Sequence, residues 1–336
     1  MQVDTQRSTW TGRKVVLTGA GGFIGSHLAA RLVEEGASVR AFIHYNSRGD
    51  TGHLRLLPEH VREELEIVAG DVRDDHSVAK IVRGADTVFH LAALIGVPYS
   101  FVSPVDVIQT NVLGTLNVLN AARDAQVRRV VHTSSSEVYG TARYVPIDEG
   151  HPLQAQSPYA ASKIAADKIA ESFARSYELP VVTVRPFNAY GPRQSARAVI
   201  PAIVIQALRH DIVRMGTRDS RRDFTFVEDT CEGFLRVGAA DGCVGEVVNV
   251  GSGSDVSMGD VADKVMSIIG RAIPVVHDSE RIRPGDSEVM QLLCDNRKAL
   301  QLTSWRPIVT IEEGLRRTIE WIDAHTDQYG SRAYAI

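Results

Sequence analysis

The chain has 336 residues, 44% of them hydrophobic, which suits two domains or one large α/β domain with an appendage. Its 37 basic and 41 acidic residues give a net charge of −4, so the charge predicts neither a nucleic acid nor an anionic membrane as partner. Cys231, Cys243 and Cys294 are too widely spaced for a disulfide framework or a metal knuckle, so we expect reduced thiols and no metal site.

No apolar run approaches the roughly 20 residues that span a bilayer, and the polar N-terminal stretch has no hydrophobic segment of a signal peptide. We therefore expect a cytoplasmic protein. Residues 1–12 and 326–336 are expected to be flexible tails.

The first predicted strand is Lys14–Thr18, a short apolar run rich in β-branched residues. It continues into Gly19-Ala20-Gly21-Gly22-Phe23-Ile24-Gly25, and apolar residues then recur with helical spacing. Strand, glycine turn and helix are the context of a dinucleotide phosphate site. There Gly19 permits a tight turn, Gly22 lets the backbone approach a pyrophosphate, and Gly25 lets the helix pack closely on the strand. The alternative is a glycine-rich turn without a ligand.

The second predicted strand, Ser38–Ile43, bears on the choice of cofactor. A carboxylate about 20 residues after the glycines typically binds the ribose hydroxyls of NAD, but none precedes Asp50 here. Arg48 could instead meet the 2′-phosphate of NADP, or it could be an exposed loop arginine. The residues themselves leave NAD and NADP open.

Two further strands are predicted at Leu65–Ala69 and Thr87–His90. Asp71, just after the first of them, could reach the adenine amine or cap the turn. The second is followed by Leu91-Ala92-Ala93, residues suited to the close approach of a ligand. We interpret His90 as a packed strand-end histidine and not as a catalyst.

A long helix is predicted over Val105–Ala125, with Asn111 near its start, and a fifth strand over Val127–Val131. Strands that alternate with helices predict a Rossmann-type, doubly wound parallel sheet. Ligands bind such sheets beyond the carboxyl ends of the strands. Ser135, Ser136 and Glu137 follow the fifth strand and are expected in that crevice.

Tyr159 and Lys163 are four residues apart in a stretch with strong helical character, which places both on one helix face. An ammonium beside a phenol favours the phenolate, so the pKa of Tyr159 should fall below its usual value of about 10. Tyr159 would then be a base at neutral pH. The alternative, a solvated surface pair, is disfavoured by the nearby dinucleotide and hydroxyl motifs.

The clean alternation ends after a strand at Val181–Val184. We expect residues 13–188, with returning segments, to form the NAD(P)-binding domain and residues 189–325 to form mainly a smaller C-terminal lobe. Basic residues recur in this lobe and suggest an anionic ligand such as a diphosphate, although surface positions would explain some of them: Arg193, Arg197, Arg214, Arg221, Arg222, Arg281 and Arg283. Ile311–Ile322 predicts an amphipathic helix that packs back on the body.

Together these motifs resemble the extended short-chain dehydrogenase/reductases, in particular the nucleotide-sugar epimerase/dehydratase group. The agreement covers about residues 13–325. It continues through His90-Leu91-Ala92-Ala93, Asn111-Val112-Leu113-Gly114-Thr115, Arg185-Pro186-Phe187-Asn188, Arg222-Asp223-Phe224 and Arg283-Pro284-Gly285-Asp286.

The resemblance implies roles for these residues. Tyr159 would take a sugar hydroxyl proton, Lys163 would hold the nicotinamide ribose, and Ser135 would bind the same sugar hydroxyl. NAD would accept a hydride from C4, so a 4-keto sugar would be the intermediate. A homodimer formed through two helices per subunit is also implied. The remaining implied contacts are Gly19, Gly22, Phe23, Ile24, Gly25, Arg48, Asp71, Val72, Leu91, Ala92 and Ala93 for the cofactor and Asn188, Arg193, Arg222 and Arg283 for the nucleotide sugar.

Glu137 matches the glutamate that removes the C5 proton in hexose 4,6-dehydratases, but Ser136 stands where those enzymes commonly carry aspartate. Ser-Glu at this place is similar to the UDP-glucuronate decarboxylases. Residues 93–100, 135–143 and 191–201 look most like the LegB-type 4,6-dehydratases, which act on nucleotide-linked N-acetylglucosamine. We expect a 4,6-dehydratase of that kind. The alternatives are a decarboxylase, a 4-epimerase and, remotely, a non-catalytic NAD(P)-binding regulator.

Overall fold

The structure is a computed structural model that describes residues 9–278 and 285–329. Its strands are β1 (Lys14–Thr18), β2 (Ser38–His44), β3 (Leu65–Gly70), β4 (Thr87–His90), β5 (Arg129–Thr133), β6 (Val181–Pro186), β7 (Asn188–Tyr190), β8 (Val213–Met215), β9 (Arg221–Phe226), β10 (Val247–Val250), β11 (Asp255–Ser257), β12 (Val275–His277) and β13 (Gln291–Leu292). Its α-helices are α1 (Phe23–Glu34), α2 (Glu59–Glu63), α3 (Asp75–Val82), α4 (Val97–Val102), α5 (Pro104–Ile108), α6 (Gly114–Asp124), α7 (Pro158–Tyr177), α8 (Val199–Arg209), α9 (Val227–Ala239), α10 (Met258–Ile269), α11 (Arg297–Thr303) and α12 (Ile311–Ala324).

The main sheet is parallel throughout and has the strand order β3-β2-β1-β4-β5-β6-β10. Alternate residues of β1 enter two different cores, Val15 and Leu17 on one face and Val16 on the other. Burial on both faces explains why this strand is a continuous apolar run. The order reverses between β1 and β4, so the binding crevice of this doubly wound sheet lies beyond Thr18 and His90. The Rossmann-type fold is confirmed.

The predicted helix over Val105–Ala125 is not regular. It consists of α5, a π-helical turn at Gln109–Leu113, and α6. The turn carries Asn111, whose side chain is buried and reaches across to Leu94 and Ser162. Single π-helical turns within helices occur often at functional sites, and this one points a polar side chain towards the crevice.

The fifth strand begins two residues later than predicted, at Arg129. The end of α6 explains the difference, because Gln126 adopts a left-handed conformation with φ 52° and the amide of Val127 still donates to the Ala122 carbonyl. This closing pattern is a common helix C-terminus, so Val127 completes the helix end instead of starting the strand.

The smaller lobe is built around β9, which lies between β11 and β13 and also pairs with β7. Helices α8, α10 and α12 cover it and share an apolar core with it. The predicted C-terminal helix extends to Ala324 and packs within this lobe through Leu315, Ile319 and Ile322. Strand β10 joins the main sheet, and helix α9 packs in the core of the main domain.

Residues 9–12 and 326–329, which were predicted to belong to flexible tails, are ordered, and this corrects the prediction for them. Trp10 is only 3% exposed and packs on Phe89, with 5.3 Å between ring centroids. At the other end, Tyr329 is buried, and Arg209 donates hydrogen bonds to the carbonyls of Thr326 and Tyr329. Trp10 and Tyr329 are therefore held in place by the burial of their side chains, although the polar residues around them predicted flexible tails.

Among the described residues, no helix combines the length and apolar character that crossing a bilayer requires. Cys231, Cys243 and Cys294 are free thiols and are buried.

Candidate active site

The glycine turn between β1 and α1 has the close contacts that a dinucleotide fingerprint requires. Gly19 has φ 73°, and a Cβ there would lie 2.7 Å from the backbone nitrogen of Ala92. A Cβ on Gly25 would lie 2.1 Å from the carbonyl oxygen of Gly19. Both positions therefore need glycine for packing, as their assigned roles predict.

Gly22 is the N-cap of α1 and supplies no side-chain cap, so the first amides of this 12-residue helix can bind an anion. The nearest neighbour of a Cβ at Gly22 would be the Gly19 carbonyl, at 3.2 Å, which leaves its outer side open. Phe23 and Ile24 form the first turn of this helix. The cradle fits the pyrophosphate of a dinucleotide.

The residues expected near the adenosine lie at the ends of β2 and β3. Asp71 caps its own turn by accepting from the Arg73 backbone, and its Oδ2 also accepts from the Arg73 guanidinium at 2.6 Å. The hydrogen bond from Arg73 holds the pKa of Asp71 below its ordinary value. The capping interpretation is thus observed, and contact with adenine stays a prediction. Val72, the next residue, is buried.

Arg48 lies in an exposed turn after β2. Asn46 builds this turn, because its side-chain oxygen accepts from the amides of Arg48 and Asp50 at 3.2 and 2.9 Å. The place where a ribose-binding carboxylate is usual therefore holds an amide committed to loop structure.

His90 has the packed role that was expected. Its Nδ1 lies 2.8 Å from the Thr18 hydroxyl, and its Nε2 lies 3.0 Å from the Thr115 hydroxyl. Complete burial lowers the pKa of this histidine well below its ordinary value, so the ring is neutral. The Thr18 hydroxyl also accepts from the Ala92 amide at 3.2 Å, which fixes Leu91-Ala92-Ala93 at the crevice.

Tyr159, Ser135 and Glu137 meet at the carboxyl end of β5. Ser135 caps a 3₁₀ turn, Ser136–Tyr139, by accepting from the Glu137 amide at 3.2 Å. Ser135 is also hydrogen-bonded to the Tyr159 phenol, and the negative charge of Glu137 acts on that phenol. Ser136 and Glu137 are both buried. The structure thus brings the predicted catalytic residues together.

The predicted low pKa of Tyr159 is wrong for the ligand-free protein. Burial raises the pKa of Tyr159 to about 12, and the charges of Glu137 and Asp167 act in the same direction. Lys163 donates its nearest hydrogen bond to the Thr133 carbonyl, at 2.5 Å, instead of pairing with the phenol. Helical spacing alone did not reveal this partner.

The sequence motifs did not identify Asp167, although it lies one helical turn after Lys163. Its carboxylate is buried and accepts hydrogen bonds from Arg185 at 2.9 Å and from Ser134 at 2.8 Å. It also lies 3.1 Å from His132 Nε2. The continued four-residue spacing was the signal that could have identified it.

The four predicted substrate residues have four different outcomes, of which three follow here. Asn188 begins β7, and its side-chain oxygen is buried with no hydrogen-bond partner among the described residues. Arg222 on β9 is buried and lies 3.5 Å from the Glu288 carboxylate. Arg283 lies outside the described residues.

Arg193 contacts α1 and not the core of the smaller lobe. Its Nη2 lies 2.6 Å from His27 Nδ1, while His27 Nε2 lies 3.0 Å from the Pro192 carbonyl. Arg193 Nε also donates to His27 Nε2 at 3.2 Å, so both ring nitrogens of His27 lie within hydrogen-bond distance of this guanidinium. Burial and the charge of Arg193 lower the pKa of His27 to about 3. The assignment of Arg193 to the sugar is therefore not supported by its position.

Comparison with known proteins agrees with this geometry. Residues 16–318 match the model of the GDP-mannose 4,6-dehydratase family. The chain belongs to this family. Its members are extended short-chain dehydrogenase/reductases that act on nucleotide sugars as NAD-dependent dehydratases, epimerases and decarboxylases.

Three relatives have different activities at nearly equal similarity. The chain is 32% identical to mouse dTDP-D-glucose 4,6-dehydratase, covering 92% of this chain and 88% of the relative. It is 33% identical to a UDP-glucose 4-epimerase of Mycolicibacterium smegmatis, covering 92% and 98%. It is 32% identical to a UDP-N-acetyl-α-D-glucosaminuronate decarboxylase of Bacillus cytotoxicus, covering 92% and 97%. Overall similarity shows the family and does not choose among the reactions.

Solved structures give the same result. An epimerase of Methanothermobacter thermautotrophicus superimposes with a TM-score of 0.88 at 30% identity, covering 96% of this chain and 95% of that one. The dTDP-glucose 4,6-dehydratase of Streptomyces venezuelae, solved with NAD bound, gives 0.86 at 30% identity, covering 94% and 98%.

Proposed function

We propose that the protein is an NAD-dependent nucleotide-sugar 4,6-dehydratase that acts on a nucleotide-linked N-acetylglucosamine. The observation that carries the reaction is Glu137, a buried carboxylate whose charge acts on the Tyr159 phenol. The sugar assignment rests on the likeness of residues 93–100, 135–143 and 191–201 to LegB-type enzymes.

The first step is oxidation at C4, in which the sugar hydroxyl transfers its proton to Tyr159 while Ser135 holds the same oxygen. NAD, when bound, supplies the hydride acceptor, and its oxidised ring carries a positive charge that favours the phenolate. That charge offsets the raised pKa of Tyr159. Lys163 adds a second positive charge from the same helix face.

The second step uses the acidity that a C4 ketone gives to the C5 proton. Glu137 accepts this proton, and the hydroxyl of C6 departs as water after it takes a proton. Because Ser136 replaces the acid that is common in dehydratases, protonated Glu137 is our candidate for that donor. Glu137 would then take up a proton from solvent and return it to C5, balanced by the C4 hydroxyl proton that Tyr159 releases. Bound cofactor would supply the hydride for C6, and the product would be a 4-keto-6-deoxy sugar.

A decarboxylase is the second candidate, and the Ser136-Glu137 pair favours it. In a nucleotide-linked uronic acid, the C4 ketone would create a β-keto acid that loses CO2 without an acid for a leaving hydroxyl. One relative with this activity, on UDP-N-acetyl-α-D-glucosaminuronate, is as similar as the dehydratases. A 4-epimerase is the third candidate function, and its reaction needs only the C4 oxidation in which Tyr159 takes the proton.

Mass spectrometry of products separates these reactions. The protein is incubated with UDP- and GDP-linked N-acetylglucosamine, UDP-glucose, dTDP-glucose and UDP-glucuronate. Loss of one water from an N-acetylhexosamine nucleotide is the expected result. Loss of CO2 from a uronate, or an unchanged mass with altered chromatography, would replace the proposal with the decarboxylase or the epimerase.

Glu137→Gln isolates the elimination step. We expect C4 oxidation to continue, seen as absorbance of reduced cofactor near 340 nm, while water loss falls by about 100-fold or more because the base is removed. Ser136→Ala is the matched control on the same buried turn, and it should change elimination much less. Normal water loss in Glu137→Gln would contradict the assigned role.

We assign Arg193 to the dinucleotide phosphates instead of the sugar. It lies beside the helix whose N-terminus forms the pyrophosphate cradle, and its observed polar contacts are with His27 and not with a carboxylate. Arg193→Gln should weaken NAD binding about 10-fold or more in calorimetry. The affinity for UDP, measured with NAD already bound, should stay unchanged; the reverse pattern would return Arg193 to the substrate.

We also propose a homodimer, built on the face formed by α4, α5 and the π-helical turn Gln109–Leu113. Val102, Val105, Ile108 and Leu113 are 48–69% exposed on these consecutive helical segments, which is unusual for large apolar side chains so close together. Light scattering should give twice the chain mass, and Val105→Glu should give the monomer. A monomeric wild-type protein would overturn this proposal.

Three free, buried thiols suit the predicted cytoplasmic location.

A further inference from the structure

Helix α7 carries a third buried polar residue in line with the two that the reaction uses. Tyr159, Lys163 and Asp167 are spaced by four residues and are all buried. A face of this kind presents all three side chains to the same strands. Asp167 is therefore next to the catalytic pair but one turn deeper, where it cannot meet a sugar at the crevice.

The contacts of Asp167 join α7 to the end of β5. His132 and Ser134, which both bond its carboxylate, flank Thr133. The carbonyl of Thr133 is the acceptor for the Lys163 ammonium, at 2.5 Å. The Asp167 carboxylate thus holds the residues on both sides of Thr133, whose carbonyl binds Lys163. Ser135–Glu137 come next in the sequence.

The same carboxylate also joins this region to β6. Arg185 Nε and Nη2 donate to Asp167 Oδ2 at 3.2 and 2.9 Å, and Arg185 Nη1 donates to the Tyr139 hydroxyl at 2.9 Å. Tyr139 ends the 3₁₀ turn that carries Glu137. Both ends of the catalytic turn are therefore tied to Asp167, one directly and one through Arg185.

We propose that Asp167 is a positioning residue of the active site, which holds the Lys163 ammonium at the Thr133 carbonyl and fixes the turn of Ser135 and Glu137 against α7. Its role in turnover rests on the proposed function, but its action on Lys163 does not.

The charges around Lys163 support this assignment. Burial lowers the pKa of Lys163 to about 8, and the negative charge of Asp167 opposes that change. Other titratable or charged groups face this region from each neighbouring element: His90 on β4, His132 on β5, Glu137 on the following turn, Arg185 on β6 and Tyr159 on α7. Both histidines are kept neutral by burial. Loss of Asp167 would thus leave two buried cations without their shared counterion.

The test reads the titration of Lys163 directly, by NMR of protein labelled with ¹³C-lysine. The chain has only six lysines, so Lys163→Arg assigns the signal. Asp167→Asn keeps the shape and removes the charge, and we expect the titration midpoint to fall by about one pH unit or more. Ser134→Ala removes a hydrogen bond to the same carboxylate without removing charge, so its midpoint should match the wild type.

Asp167→Glu restores the charge, and its midpoint should return to within a few tenths of the wild-type value. If Asp167→Asn does not fold, Asp167→Asn combined with Arg185→Gln removes both buried charges together, and a smaller fall in the midpoint is expected because a neighbouring cation is lost as well. An unchanged midpoint in the folded variant that lacks Asp167 would overturn the proposal.

A second readout follows the pH profile of cofactor reduction in single turnovers. Its alkaline limb should move to lower pH in Asp167→Asn by the same amount as the NMR midpoint. Ser134→Ala should change only the rate. Because the NMR titration needs no substrate, failure of the dehydratase assignment leaves this test intact, and failure here leaves the product assay intact.

Discussion

Gly25→Ala tests whether the contact between α1 and the glycine turn is as close as the structure shows. The added Cβ would lie 2.1 Å from the Gly19 carbonyl oxygen, 1.3 Å short of the 3.4 Å at which ordinary contact begins. It would also lie 2.9 Å from the carbonyl carbon of Gly19 and 3.0 Å from the Ala20 Cα. Every one of these neighbours is backbone, so no side-chain rotation relieves the overlap.

The helix must therefore move away from the turn by about an ångström. Overpacking of this kind costs about 3 kcal/mol, which should lower Tm by about 4 °C. The movement also displaces the amides after Gly22 from the pyrophosphate, so we expect NAD affinity to fall about 10-fold or more. Calorimetry measures both quantities on the same protein.

Gly259→Ala is the matched control, because Gly259 also lies in the first turn of a helix. Its Cβ would meet the Arg218 guanidinium at 3.3 Å, the mobile end of a flexible side chain. This substitution should leave NAD affinity unchanged and raise stability by up to about 1 kcal/mol through helix propensity. If Gly25→Ala unfolds and binds NAD like the wild type, the close packing of α1 on the turn is incorrect.

Three further outcomes are expected. Tyr159→Phe should keep the wild-type melting temperature and NAD affinity but lower turnover by about 100-fold or more. Tyr144→Phe, on an exposed loop, should leave turnover unchanged. Turnover near the wild-type rate in Tyr159→Phe would show that Tyr159 is not the base. The pKa of His27 in the folded protein is about 3, so on acidification the unfolded chain takes up a proton that the folded protein does not. The free energy of unfolding should therefore fall by about 2 kcal/mol between pH 7 and 5. Urea titrations should show a smaller loss in His27→Gln but not in the exposed His60→Gln, and equal slopes would contradict the burial of His27. Trp10→Ala should cost about 3–5 kcal/mol in the same assay, a result that a flexible N-terminal tail could not produce.

The local motifs were predictable because their chemistry is local. Lys14–Thr18 is apolar because β1 is buried on both faces, and Gly19 and Gly25 stand where a Cβ would strike backbone. The Gly25 contact spans six residues and the Gly19 contact with Ala92 spans 73, but both glycines stand in a strand, glycine turn and helix motif that is recognisable in the sequence. The doubly wound parallel sheet followed as well, since strands that alternate with helices are joined by crossovers and right-handed crossovers leave few arrangements. Sequence therefore determined the fold class and the positions of Ser135, Tyr159 and Lys163 at one crevice.

Contacts between distant residues decided the rest. Arg193 meets His27 across 166 positions, so no spacing pattern could assign it to the cofactor side. Trp10 is held by Phe89 in the core, although its neighbours are polar. The ionisation of Tyr159 depends on how completely the fold buries it and on which charges the fold brings near. Burial and long-range charge are properties of the packed molecule, and only the tertiary structure supplied them.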